Sequence, residues 1–227
     1  GGSVWFGTRM GAIRFDGRDW FYRQGQAWLP DDDVRHIAVD KAGNVWLATA
    51  GGVARIEYRM MTLAEKAAFY EEEIEIIKRT PFGYTSEVRL GSPGDKTDVI
   101  HTDSDNDGLW TSMYGAGEAF GYAATGDPER KERAKQAFEA LRFLQVVTQG
   151  GEHSPPKGYV ARTILPADGP DPNIGRLESD IKHRETRDSL WKVYEPRWPK
   201  SEDGQWYWKS DTSSDELDGH YFYYPAY

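Results

Sequence analysis

The 227-residue chain has no cysteine, so no disulfide and no thiol chemistry enters its fold or its function. A cysteine-free sequence suits an exported protein, and a secreted or periplasmic location is the expectation. Positive charge is also short: 28 Lys and Arg stand against 37 Asp and Glu, a net charge of −9. That balance argues against nucleic acid as a partner, because phosphate binding needs a basic field. No apolar run reaches the roughly 18 residues of a membrane span, so no membrane insertion is expected. There is no signal peptide, and the first residue is Gly rather than Met, so the native N-terminus is expected upstream. A Ser-His-Asp order, a phosphate loop and a paired CxxC are all missing.

Aromatic residues, in contrast, are plentiful: nine Trp, thirteen Tyr and nine Phe. They serve large cores and β repeats, or they offer flat faces on which sugar rings stack. The repeat itself is visible. VWFGTRMGAIRFDG at 4–17 returns as VWLATAGGVARIEY at 45–58, a step of 41 residues. Val4, Phe6 and Thr8 alternate with Trp5 and Gly7, which predicts a strand, and the pattern recurs over Val45–Thr49. Turns are predicted at Asp16-Gly17 and at Lys41–Asn44. Short strands repeating at about 40 residues are the mark of a propeller blade, and propellers close with about four to eight blades. About one and a half blades fit before the period ends at Thr62. The Lys41–Thr49 core resembles the two-component-regulator propeller repeat of bacteria, in two copies across residues 1–60.

From Thr62 the spacing turns helical. Thr62 and Glu65 predict a capping box, and Ala68, Tyr70, Ile74 and Ile77 one apolar face, with a stop before Pro81. A second helix is predicted from about Asp107 to Thr125, rich in Gly and Ala and therefore packed on more than one side. Gly126-Asp127-Pro128 ends it and starts a third helix running to about Val147, amphipathic and outward-facing. A Pro- and Gly-rich stretch over 150–210 reads as loop, and a fourth helix starts at Thr212 or Ser213. Outer helix, long loop, inner helix and short turn is the plan of an (α/α) toroid. The expected fold is thus partial β-propeller blades over 1–60 and the first hairpins of an all-α (α/α) toroid over 61–227.

Three segments, HTDSDNDGLWTSMYGAGEAFGYAATGDP (101–128), GYVARTILPADGPDPN (158–173) and WYWKSDTSSDELDGHYF (206–222), resemble the toroid domains of bacterial carbohydrate-active proteins. The resemblance implies a glycan-degrading enzyme, first a polysaccharide lyase on a uronate-containing polysaccharide, such as those cutting rhamnose–glucuronate linkages. A glycoside hydrolase and a non-catalytic glycan-binding or sensor module are the alternatives.

The candidate residues follow from this reading. Asp103, Asp105 and Asp107, with Gly108, match the first half of a calcium loop, but Tyr114 stands where an EF-hand needs Glu. Calcium, or an acidic helix start with Asp107 as cap, both fit. Asp211 and Asp215 sit at the next helix start and, with Lys209, Trp110 and Trp208, are the candidate substrate-binding groups. Trp206 and Trp208 alternate with Tyr207, as a short strand or a stacking wall. His220 lies four residues after Glu216, a spacing at which a carboxylate orients an imidazole into a base. A structural histidine is the other reading. A lyase must also neutralise a uronate carboxylate, which Arg162 does bidentately unless it is salt-bridged internally. His220 or Tyr159 would then remove the neighbouring proton.

Overall fold

The computed structural model describes residues 2–79, 81–101 and 104–227. The chain divides into two compact units, Gly1–Ile76 with Arg89–Ile100 and Ile77–Val88 with His101–Tyr227.

The repeat folds as two three-stranded antiparallel sheets. The first holds β1 (Val4–Thr8), β2 (Gly11–Phe15) and β3 (Trp20–Arg23), and the second β4 (Val34–Val39), β5 (Val45–Thr49) and β6 (Gly52–Ile56), each in sequence order. The repeated residues make the same turns. Thr8 pairs with Gly11 and Thr49 with Gly52, and each threonine hydroxyl donates to the glycine carbonyl, at 2.8 and 2.9 Å. Asp40 ties the turn before β5: its carboxylate accepts from the Trp46 indole at 3.1 Å and from Asn44 at 2.9 Å. These bonds hold its carboxyl down at about 2. Ala12, Leu29, Val34, Val45, Leu47 and Ile56 form the core of this unit, with Trp5 and Ile37 packed on it. The sheets approach closely where Gly7 meets Val34, because a Cβ on Gly7 would lie 2.9 Å from Val34 Cγ1.

α1 (Leu63–Ile77) opens on the expected capping box: Glu65 accepts from the Thr62 N–H at 2.7 Å, and Thr62 Oγ1 accepts from the Glu65 N–H at 3.2 Å. None of its side chains is buried, so the expected apolar face of Ala68, Tyr70, Ile74 and Ile77 makes no core.

Four short strands follow: β7 (Lys78–Arg79) pairs with β8 (Tyr84–Thr85), and β9 (Val88–Leu90) with β10 (Val99–His101). Then come α2 (Asp107–Thr125) and α3 (Pro128–Val146). Gly126 ends α2 in the left-handed conformation at φ 71°, and Asp127 caps α3 by accepting from the Glu129 N–H at 2.9 Å. β11 (Ile164–Pro166) pairs antiparallel with β12 (Trp206–Trp208), with α4 (Arg176–Thr186) between them, and α5 (Ser214–Tyr223) closes the unit. Ala116, Ala137, Leu141, Leu144, Ile164, Trp208 and Tyr223 are in its core.

Small residues set the helix packing. Gly108 of α2 faces Glu216 and His220 of α5, Gly219 faces Leu109 and Ser112, and Gly115 faces Tyr223 and the α3 residue Ala137. The contacts advance in the same direction along α2 and α5, so these helices are parallel and start at one end. α3 runs back along α2, with Arg130 2.9 Å from Glu118.

The expected fold class is corrected here. The described residues form a mixed α/β structure of small two- and three-stranded antiparallel sheets and five helices, with no closed barrel or propeller. The all-α expectation fails because 150–210, read as loop, folds as the β11–β12 ribbon and α4, and because β7 to β10 precede α2. Two three-stranded sheets pack on each other without closing a ring.

Two glycines of one helix should respond oppositely. A Cβ at Gly115 would lie 2.7 Å from the Tyr223 ring and 2.8 Å from Ala137, whereas nothing lies within 4 Å at Gly117. Gly115→Ala should destabilise by about 1–3 kcal/mol through overpacking. Gly117→Ala should stabilise by about 0.5–1 kcal/mol through helix propensity. Denaturant unfolding of the two variants checks both signs.

Candidate functional site

The parallel starts of α2 and α5 and the end of the β11–β12 ribbon share one region. At its base lies Asp107, the first residue of α2 and fully buried. Arg79 donates to its carboxylate, to Thr163 Oγ1 at 2.9 Å and to the Ile164 carbonyl at 2.6 Å. The Thr163 hydroxyl donates to the same carboxylate at 2.5 Å. Asp107 therefore anchors the ribbon to the helix start; it is not free for a ligand.

The ribbon places Arg162 and Lys209 side by side. Lys209 N–H donates to the Thr163 carbonyl at 2.9 Å, and Arg162 N–H to the Lys209 carbonyl at 3.1 Å. Both side chains turn to Asp105: Lys209 pairs with its carboxylate, and Arg162 Nε donates to its carbonyl at 2.8 Å. Partial burial pushes the Asp105 carboxyl up, but the Lys209 bond and charge, with Arg162 and Arg176, hold it below its ordinary value. Arg162 Nη1 also lies 4.0 Å from Asp211 Oδ2. Asp211 in turn pairs with the buried Arg197, whose Nε donates to Asp180 of α4 at 2.6 Å. The Tyr159 hydroxyl donates to the Ser210 carbonyl, and its ring meets Trp208 edge-on at 6.2 Å. Burial, then the neighbouring Tyr194 and Asp211, push the Tyr159 phenol up, so it is protonated at neutral pH.

Deeper lie Glu216 and His220, one turn apart on α5 and both facing Gly108. Glu216 Oε2 accepts from the Leu109 N–H at 2.9 Å, one of the unpaired donors of the α2 start. His220 Nδ1 is 2.8 Å from the Tyr224 hydroxyl. Glu216 Oε1 and His220 Nε2 are buried without a hydrogen-bond partner. Burial dominates both titrations: it raises the Glu216 carboxyl to about 7 and lowers the His220 imidazole to about 4. His220 is thus neutral at pH 7 and only 1% exposed. On its other side it borders a cleft of about 620 Å³ with Phe138, Arg142, Val160 and Tyr224.

The expected site residues therefore separate by depth. Arg162, Lys209, Asp105, Asp211 and Tyr159 gather around the ribbon end. Trp110 and Asp215 are exposed on the first turns of α2 and α5. Trp208 is a core residue, and its strand, not a stacking wall, explains the alternation at 206–208. Asp103 lies outside the described residues. Asp105 and Asp107 each face a different cation, and no cluster of three or more metal-ligating side chains forms among the described residues, so these carboxylates do not fit calcium. Sequence reasoning passed over Arg79, Thr163, Asp180 and Arg197. They meet across 17 to 84 residues, where no local spacing signals them.

Residues 29–51 match the family model of the two component regulator propeller, a segment ending in β5. Neither the curated proteins nor the solved structures give a match to this chain.

The Glu216 carboxyl carries a pH prediction. Its folded value of about 7 lies above the ordinary 4.5, so the folded state keeps a proton that the unfolded chain releases between them. Its contribution to stability is highest below 4.5, falls as pH rises through that window, and is flat above about 7. His220 acts oppositely, losing stability as pH falls from 6.5 towards 4. Glu216→Gln keeps an acceptor for the Leu109 N–H and cannot ionise. Its melting temperature should match the parent below 4.5 and exceed it by several degrees above pH 7. Parallel melting profiles across this range would contradict the assignment.

Proposed function

We propose that this chain is part of a glycan-degrading protein and that its second unit acts as a polysaccharide lyase on a uronate-containing glycan. The observation that carries the reading is Arg162. Its side chain is 20% exposed, its Nε is fixed on the Asp105 carbonyl, and its terminal nitrogens turn towards Asp211 at the mouth of the site. A fixed, partly open guanidinium suits bidentate capture of a uronate carboxylate. The two parallel helix starts add positive potential at the same end. Lys209 is the second cation there, and Trp110 gives an exposed ring for sugar stacking.

The reaction is an elimination. A base removes the proton on the carbon beside the carboxylate, a carbon–carbon double bond forms, the bond to the glycosidic oxygen breaks, and that oxygen takes a proton. Arg162 stabilises the charge that develops on the carboxylate. His220 or Tyr159 takes the proton. His220 is in the unprotonated form that a base needs but lies deep, whereas Tyr159 is nearer the surface and protonated, a form suited to the leaving oxygen.

One observation favours a hydrolase as the second reading. Glu216 is held near 7 beside Asp215, which the Ser213 hydroxyl holds below its ordinary value. Carboxyls with values pushed apart fit an acid paired with a base. The propeller match supports a third, non-catalytic reading in which the β unit binds a glycan signal.

Incubating the full chain with rhamnose–glucuronate glycans separates the three. The lyase gives products with the ultraviolet absorbance of a double bond conjugated to a carboxylate. Arg162→Ala should lower kcat/KM by about 100-fold or more while shifting Tm little. New reducing ends without that absorbance point to the hydrolase, and binding without products to the sensor; either overturns the lyase reading.

A further inference from the structure

The two sheets of the β unit are repeats of one another, and they pack front to back. In the 41-residue register, Val4, Phe6, Ala12 and Phe15 of the first sheet correspond to Val45, Leu47, Val53 and Ile56 of the second. Strand pairing puts Val4, Phe6, Ile13, Phe15, Trp20 and Tyr22 on one face of the first sheet, its front. The equivalent front of the second sheet is buried: Val45 is 2% and Leu47 0% exposed. What covers it is the back of the first sheet, where Ala12 is 1% exposed and Gly7 lies against Val34.

The same interface is left half-made at both outer faces. The front of the first sheet is open, with Val4 52%, Phe6 44%, Trp20 54% and Tyr22 64% exposed. Its aromatic rings already form a continuous platform: Phe15 stacks on Trp20 at 4.4 Å, and Phe6 lies 5.9 Å from Trp20. The back of the second sheet is open too, with Val53 65% and Trp46 41% exposed. An apolar aromatic sheet face of this extent marks an interaction surface. The two open faces are the two halves of a contact that the chain already makes once internally.

We propose that two copies of this chain associate head to tail, the open front of one first sheet receiving the open back of another copy's second sheet. Such a contact joins unlike surfaces, so it grows into a ring or a chain of copies rather than a closed two-fold pair. The proposal rests on the β unit alone and is independent of the glycan reading.

Sedimentation of the full chain tests it. The average mass should rise above that of one chain as concentration increases through the micromolar range. Phe6→Glu disables the front and Val53→Glu the back. Both positions are exposed, and thermal melts verify folding; Tyr22→Glu and Trp46→Glu are the substitute pair. Each variant alone should stay single. An equimolar mixture of a front variant and a back variant should form a two-chain complex and nothing larger, since one intact front and one intact back remain. A single-chain mass for the parent at every concentration overturns the proposal. So does association untouched by the substitutions, which would place the contact elsewhere. A mixture that stays single overturns it as well, because it would show like faces meeting.

Discussion

The close parallel packing of α2 against α5 is the constraint on which the second unit depends. It exists because Gly108, Gly115 and Gly219 leave no side chain where the helices meet. Gly108 is the decisive one, since a Cβ there would lie 2.6 Å from Glu216 Oε2 and 2.7 Å from His220 Nε2. With the helices this close, Glu216 reaches across to the first free N–H groups of α2 and satisfies one of them. Both helix starts, and the segments leading into them, are thereby brought to one end. The placement of every candidate residue follows from that.

Charge fixes the rest of the region. Arg79, Asp107 and Thr163 pin the ribbon beneath the α2 start, and Arg197 binds Asp180 and Asp211 on either side. Buried ions of this kind hold geometry more than they add stability, because desolvation offsets much of the attraction. The result is a graded site. Fully compensated charges lie at the bottom, two unpartnered polar atoms of Glu216 and His220 lie between the helices, and Arg162 is partly open above.

How much of this could be read from the sequence depends on the range of the interaction. The bounds of α2 and α3 were legible because Gly126, Asp127 and Pro128 act locally, as did the Thr62–Glu65 box. The turns of the β repeat were legible for the same reason. At α5 the local rule failed: Ser213 makes no side-chain cap, and Glu216 turns away to Leu109, over a hundred residues distant in sequence. α4 escaped notice because it opens on Gly175 without a side-chain cap and buries one residue, Asp180. Its fold is dictated by the ion pair with Arg197 and not by an apolar stripe. Lys209 and Arg162 were singled out by residue type, but their meeting at Asp105 comes from strand register that only the folded ribbon supplies.

The account stands or falls on the claim that the end shared by the two helix starts receives a sugar carboxylate at Arg162. Calorimetric titration with a glucuronate-bearing oligosaccharide and with its neutral glucose counterpart tests this without any need for turnover. The uronate should bind at least about 10-fold more tightly, a difference of about 1.4 kcal/mol, and Arg162→Ala should abolish the preference. Equal affinity for the two sugars, or a preference that survives loss of Arg162, would contradict it.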